Sequence, residues 1–290
     1  MDTIERILVP TDGAGPASWA LEHARFLANE HNATLHFIHV YTSDEGPVDS
    51  LELASFESEA SIPAPDVLND TPYPVVKRSV THPSVPDGIV RYARQEEVDL
   101  IVMGTHGRTG VHRAMLGSVA EKVVRHAHCP VLTIREQTHR SPQQSIDHIL
   151  APIDFSSHTH IVTEQATAFA KRYGARVTLL HVLEDIAVPT TYGIDPMITD
   201  SEPVRARITE RLSREADMLR EQGVEVESRI RSGNPAEEIL ALAENDQVDL
   251  IAIATVGRTG IARFLLGSVA EKVVRQAPCP VLTARRPGQK

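Results

Sequence analysis

Two short stretches of this chain carry residue types that could hold a phosphate. Gly104-Thr105-His106-Gly107 is followed, after nine residues, by Gly117-Ser118. Glycines let the backbone approach a ligand closely and adopt φ > 0 conformations that side chains resist. A helix opening at Ser118 would offer unsatisfied N–H groups and the positive end of its dipole, both of which attract phosphate. Arg108 and Arg113 are available as counter-charges. Ser118 with Glu121 reads either as a Ser-x-x-Glu capping box or as a hydroxyl set beside the phosphates. The pattern recurs later in the chain as Gly257, Arg258, Arg263, Gly267 and Ser268, with Ala254 in place of Gly104 and Val256 in place of His106.

Other chemistries find less support. No G-x-x-x-x-G-K-[ST] run is present, so this is not a P-loop nucleotide hydrolase. Gly13-x-Gly15-x-x-Ser18 approaches the dinucleotide fingerprint but lacks its third glycine and contains Pro16. His126-Ala127-His128-Cys129 invites a metal reading, but the repeat has Gln276-Ala277-Pro278-Cys279 there, and histidines at a helix end have a simpler role beside the helix dipole. His39 and His181 each precede a strand-end valine and are expected to pack or bond there rather than bind metal. Asp12 could reach phosphates through Mg²⁺, but one carboxylate is not a catalytic constellation.

The elements that must position these residues alternate between strand and helix. Ile7–Val9, Leu35–Val40, Val75–Val80, Leu100–Met103 and Val131–Ile134 read as buried strands, the fourth uniformly apolar as in the middle of a parallel sheet. Ala17–Asn29, with Trp19, Ala20, Ala24 and Leu27 on one stripe, Asp87–Glu96 and Ser118–His126 read as helices. Such alternation predicts a doubly wound parallel sheet, whose ligands bind at the carboxyl ends of the strands.

The chain repeats itself. Gly107–Arg125 and Gly257–Arg275 are identical at 15 of 19 positions, and Ile7-Leu8-Val9-Pro10-Thr11-Asp12 matches Ile149-Leu150-Ala151-Pro152-Ile153-Asp154. A period this long is a domain duplication rather than a solenoid. The polar stretch Glu136–Ser145 reads as the linker, giving domains at 1–140 and 146–290. The halves differ in the middle: Glu202–Glu221 reads as a strong helix, whereas Ser50–Pro74 holds Pro63, Pro65, Pro72 and Pro74 and leaves room only for a short one.

Composition narrows the partners. The chain has 290 residues, 41% of them hydrophobic, and a net charge of -10; its pI is about 5.8 and its mean hydropathy -0.17. A phosphate-backbone binder is usually basic, so nucleic acid is not the expected partner. Two cysteines do not make a disulfide scaffold, and neither a signal segment nor a membrane-length apolar run is read, so a cytoplasmic location is expected.

The G-x2-G-x9-G-S pattern, with Asp99-Leu100-Ile101-Val102-Met103 before it, Cys129-Pro130-Val131-Leu132 after it and Ile-Leu-Val-Pro-x-Asp at the start, resembles the universal stress protein family across nearly the whole chain, twice. The resemblance implies an α/β fold of two tandem doubly wound five-stranded parallel sheets, order 3-2-1-4-5, similar to the adenine-nucleotide α-hydrolases. It places the switch point between Asp12 and Gly104. In the family's ATP-binding branch, residues matching Pro10, Thr11 and Asp12 lie by adenine and ribose. The residue matching Val40 meets adenine through its backbone, and those matching Met103, Gly104, Gly107, Gly117, Ser118 and Val119 surround ribose and phosphates. His106 and Arg108 complete the first candidate site. The second comprises Pro152, Ile153, Asp154, Val182, Ala254, Gly257, Arg258, Gly267, Ser268 and Val269, and is expected to be the weaker. If the Gly104 position has φ > 0, alanine there costs on the order of 1–2 kcal/mol, and its methyl points toward space the ligand needs.

The resemblance also implies that the final strands, Val131–Ile134 and Val281–Ala284, face each other, making the chain an intramolecular pseudo-dimer that can pair further as a homodimer. The expected function is a stress-response regulator that binds ATP, with Mg²⁺ on its phosphates. The alternatives are a slow ATPase and a nucleotide-free dimerisation scaffold.

Overall fold

The computed structural model describes residues 4–12, 18–42, 56–58, 66–105, 116–135, 145–184, 201–255 and 266–284. In the first half these form β1 (Arg6–Thr11), α1 (Ser18–His31), β2 (Thr34–Tyr41), β3 (Phe56–Ser58), β4 (Val75–Thr81), α2 (Val85–Gln95), β5 (Leu100–Gly104), α3 (Ser118–His126) and β6 (Val131–Ile134). The second half repeats the series as β7 (His148–Pro152), α4 (Thr159–Tyr173), β8 (Arg176–Leu183), α5 (Glu202–Arg220), β9 (Val226–Ser232), α6 (Pro235–Asn245), β10 (Leu250–Ala254), α7 (Ser268–Gln276) and β11 (Val281–Ala284).

The strand order is β3-β4-β2-β1-β5-β6-β11-β10-β7-β8-β9. With β3 set aside, each half has the expected 3-2-1-4-5 order, but the two sheets are one continuous sheet of 11 strands. They join where β6 runs antiparallel to β11 about Leu132 and Leu282. The seam is reciprocal: the Thr133 hydroxyl donates to the Val281 carbonyl at 3.2 Å, and Thr283 to that of Val131 at 3.0 Å. Pairing the two apolar final strands with each other leaves neither as an open edge.

Two apolar layers cover the sheet, and each runs through both halves. One packs α1, α4 and α5 on residues such as Val9, Val102, Leu132 and Leu282. The other packs α2, α3, α6 and α7 on residues such as Leu8, Ile101, Val131 and Val281. Alternate residues of one strand enter opposite layers, as the pleat requires. On the first face α1 meets α4 across the seam: the Phe26 and Tyr173 rings stack at 5.8 Å, and His31 Nε2 lies 3.1 Å from the Tyr173 hydroxyl. On the other, Arg135 Nη1 donates to the carbonyls of Gln276 and Ala277 at 2.7 and 3.2 Å. A cation there meets the negative end of α7.

The described parts of the middle segments differ, and residues 43–55 and 59–65, with Pro63 and Pro65, lie outside the described residues. In the second half, α5 buries Leu212, Ala216 and Leu219. In the first, a 3-10 turn at Asp66–Leu68 precedes β4, and Leu68 and Tyr73 are buried in the same apolar layer. The short β3 lies antiparallel on β4 as an added edge strand that the alternation pattern gave no sign of. Among the described residues no helix is long and apolar enough to cross a membrane.

Two aspartates hold the amino ends of the central strands. Asp99 Oδ2 accepts from the backbone N–H groups of Glu5 and Arg6 at 2.8 and 2.9 Å. Asp249 does the same for Asp147 and His148, both at 2.9 Å. With one end of each central strand fixed this way, the opposite end is where the strands can part.

Candidate functional site: the strand-end crevice

The parting is visible in the ladders. β1 pairs with β2 from Arg6 through Thr11, but with β5 only at Ile7–Leu100 and Leu8–Ile101. β7 likewise pairs with β8 along its length, and with β10 only at Ile149–Leu250 and Leu150–Ile251. Beyond these residues the carboxyl ends of the two central strands diverge at the point where the strand order reverses. That is where a doubly wound sheet opens a crevice.

The expected site residues collect around it. Pro10 and Thr11 end β1 and Asp12 follows; Val40 and Met103 are buried on β2 and β5, and Gly104 ends β5. Gly117 caps α3, and Ser118 and Val119 are its first residues. In the second half Pro152 ends β7, Ile153 and Asp154 follow, and Val182 lies on β8. Ala254 ends β10, Gly267 caps α7, and Ser268 and Val269 open it. Val40, Met103 and Val119 share one apolar layer, and Val182 and Val269 pack against that same layer. His106, Gly107, Arg108 and Arg113, with Gly257, Arg258 and Arg263, lie outside the described residues.

The chain leaves β5 and re-enters α3 at one point. The Gly117 N–H donates to the buried Thr105 carbonyl at 2.9 Å, while the Thr105 N–H donates to Ile134 at 3.0 Å. In the second half Gly267 donates to Thr255 at 2.8 Å. The capping box is absent. The helix cap is Gly117, which has no side chain to cap with, Ser118 is already the first helical residue, and among the described residues no side chain caps the α3 amino end. Glu121 instead pairs with Arg125 one turn on. By contrast, at α6 the Asn234 side chain accepts from Ala236 and Glu237 at 3.1 and 3.2 Å. Without a side-chain cap, the α3 amino end keeps N–H groups that an anion could take.

One further expectation needs correction. Gly104 is a strand residue in register with Ile134, as Ala254 is with Ala284. Among the described residues the positive-φ glycines are Gly174, Gly223 and Gly233. Backbone strain therefore does not separate Gly104 from Ala254. The Ala254 methyl packs against the layer of α4 and α5, on the face opposite Val182.

His39 and His181 bond at the strand ends, as expected. His39 Nδ1 lies 2.8 Å from the Thr11 carbonyl, and His181 Nδ1 2.8 Å from that of Ile153. A carbonyl only accepts, so each Nδ1 carries the proton. Each bond ties the end of the second strand to that of the first. Their identical place in both repeats was the signal available in the sequence.

The second crevice also carries Phe155, at the position of Gly13. Its φ is 58°, uncommon for a bulky side chain. Its ring lies 4.6 Å from that of His181, and the Arg211 guanidinium of α5 sits 4.2 Å above it. These contacts offset a strain of roughly 1–2 kcal/mol. Asp154 Oδ1 accepts from the Ser156 N–H at 2.9 Å, so one carboxylate oxygen is turned onto its own loop. Among the described residues no group of three or more His, Cys, Asp or Glu could hold a metal ion.

Known proteins match this architecture. The model of the universal stress protein family matches residues 3–135 and again 145–285. Universal stress protein MJ0531 of Methanocaldococcus jannaschii is 35% identical over 142 residues, covering 48% of this chain and 82% of that protein. Universal stress protein Rv1996 of Mycobacterium tuberculosis is 27% identical over 289 residues, covering 97% of this chain and 84% of its own. The crystal structure of a putative universal stress protein from Pseudomonas aeruginosa has the same fold, with a TM-score of 0.70 at 19% identity, over 99% of this chain and 95% of that one. The repeated strand order and the two matches to the family model together make this chain a two-domain member of the universal stress protein family.

Proposed function

We propose that the first half binds an adenine nucleotide, ATP, in the crevice between β1 and β5, and that occupancy rather than turnover is the output. The observation that carries this reading is an open switch point beside a helix start with no side-chain cap, the loop between them closed by the Gly117–Thr105 bond. The base would lie toward Val40 and Asp12, and the phosphates toward Gly117, Ser118 and Val119. Mg²⁺ would arrive on the phosphates, with Asp12 as a carboxylate within the same crevice. A regulatory role fits because, among the described residues, the crevice offers dipoles and hydrogen-bond donors but no positioned pair of general acid and base. The β6–β11 seam would let the two halves act as one covalent dimer, in the cytoplasm, with a protein partner reading the occupied state.

The test is titration calorimetry of Mg-ATP into the wild type and Gly117→Val. Gly117 has φ -59° and ψ 136°, a conformation open to any residue, so valine acts through its bulk rather than through backbone strain. The reading expects about one nucleotide per chain in the wild type, following the notion that only one crevice is fit for it. It also expects binding to be lost in Gly117→Val with an unchanged circular dichroism spectrum. Equal affinity in the two proteins contradicts it.

A further inference from the structure

Among the described residues the two crevices differ on the face that carries Val40 and Val182, and the difference lies in α2 and α6. Gly88, on α2, is buried. A Cβ built on it would stand 2.9 Å from Val40 Cγ1, closer than real Cβ atoms come, and 3.0 Å from His82 Cβ, a tight contact. Helix α2 therefore reaches the end of β2 only because residue 88 has no side chain. Val40 is also flanked by Val80 in the parallel ladder, so its ladder neighbour here is apolar.

In the second half the position of Gly88 is Glu238, on α6. Val182, the counterpart of Val40, has Arg231 as its ladder neighbour instead of a valine. Arg231 Nη1 pairs with Glu238 Oε2 at 3.5 Å. One repeat thus sets valine and glycine beside the strand end; the other sets an ion pair there. A flat, largely apolar base face gains by packing on the first surface, whereas a charged pair left partly exposed loses solvation when covered. The Gly104/Ala254 difference does not account for unequal sites, because both residues are strand-end residues in register and the Ala254 methyl faces the other layer.

We propose that the position shared by Gly88 and Glu238 selects which crevice takes the nucleotide base. Gly88 is a positioning residue: it seats Val40 at the base end of the first crevice, and the Arg231–Glu238 pair denies that seat in the second. This rests on the reading that the first crevice binds a nucleotide.

The test is calorimetric titration of Mg-ATP into the full chain as wild type, Gly88→Ala, Val40→Ala and the double variant. Overpacking a buried contact of this kind should weaken binding by about tenfold or more in Gly88→Ala. Removing Cγ1 relieves the shorter of the two contacts and leaves that with His82, so the double variant should bind within about threefold of Val40→Ala alone. General damage to the domain would not be rescued in this way. Wild-type affinity in Gly88→Ala overturns the proposal, as does a double variant no better than Gly88→Ala. Two equal sites in the wild type overturn it too, since one of them carries Glu238. A wild type that binds no adenine nucleotide removes the nucleotide reading itself, and the proposal with it.

Discussion

Acid should unfold this protein through His36, and the size of the effect follows from its surroundings. His36 lies within β2 at 5% exposure, with Nδ1 2.9 Å from the Tyr92 hydroxyl. Burial, and then the charges of Arg6 and Arg78, lower its pKa from 6.5 to about 4. Above pH 6.5 the imidazole is neutral in both folded and unfolded chains and contributes no pH dependence. As pH falls below 6.5 the unfolded chain takes up a proton that the folded chain refuses until about pH 4, so stability is lost across that window. At 1.36 kcal/mol per pH unit the full penalty is about 3 kcal/mol, and roughly 2 kcal/mol is already incurred at about pH 5. The assay is urea unfolding at about pH 7.5 and pH 5, comparing wild type with His36→Gln, which keeps a hydrogen-bonding group toward Tyr92. Other histidines titrate in both proteins, so the quantity to read is the difference between the two pH dependences. It should be about 2 kcal/mol, with the wild type the more acid-sensitive. Equal pH dependence in both proteins would refute the placement of a neutral His36 in the core.

Other expectations follow from single contacts. Asp249→Ala strips two backbone N–H groups of a charged acceptor and should lower the stability of the second half by about 3 kcal/mol in chemical denaturation. A loss near zero would mean that β7 is held elsewhere. Arg135→Ala removes the cation at the carboxyl end of α7 and should cost about 1 kcal/mol. The same measurement checks it, and no change would show the bonds to Gln276 and Ala277 to be incidental. With excess Mg-ATP, phosphate release should stay far below about one per second, the low end of ordinary enzymes. A faster rate would reveal a catalytic group that this account lacks.

Much of the fold was legible because its signals are local and repeated. Ser118–His126 and Val131–Ile134 match their helix and strand to the residue, and the apolar run at Leu100 marked a central strand. What escaped depends on contacts distant in sequence or on conformation. β3 is held by β4 and has no periodicity of its own to announce it. Ser118 and Glu121 satisfy the capping-box pattern, yet the helix begins one residue earlier in its cap, at Gly117, and Arg125 takes the carboxylate. Gly104 looked like a residue chosen for left-handed φ because it is glycine; the ladder to Ile134 makes it a strand end instead. Of the site, the motif residues at the strand ends were readable. The carbonyl partners of His39 and His181, expected only to bond at the strand ends, and the Gly88 contact were not, since each joins elements that only the parallel sheet brings together.

The central claim is that the crevice of the first half holds an adenine nucleotide, and its most direct test is to ask the purified protein what it carries. Heat denaturation followed by mass analysis of the supernatant, before and after incubation with Mg-ATP and desalting, should release an adenine nucleotide at about one per chain. Gly117→Val treated identically should release none. Release of no adenine nucleotide from the wild type under either condition would contradict the account.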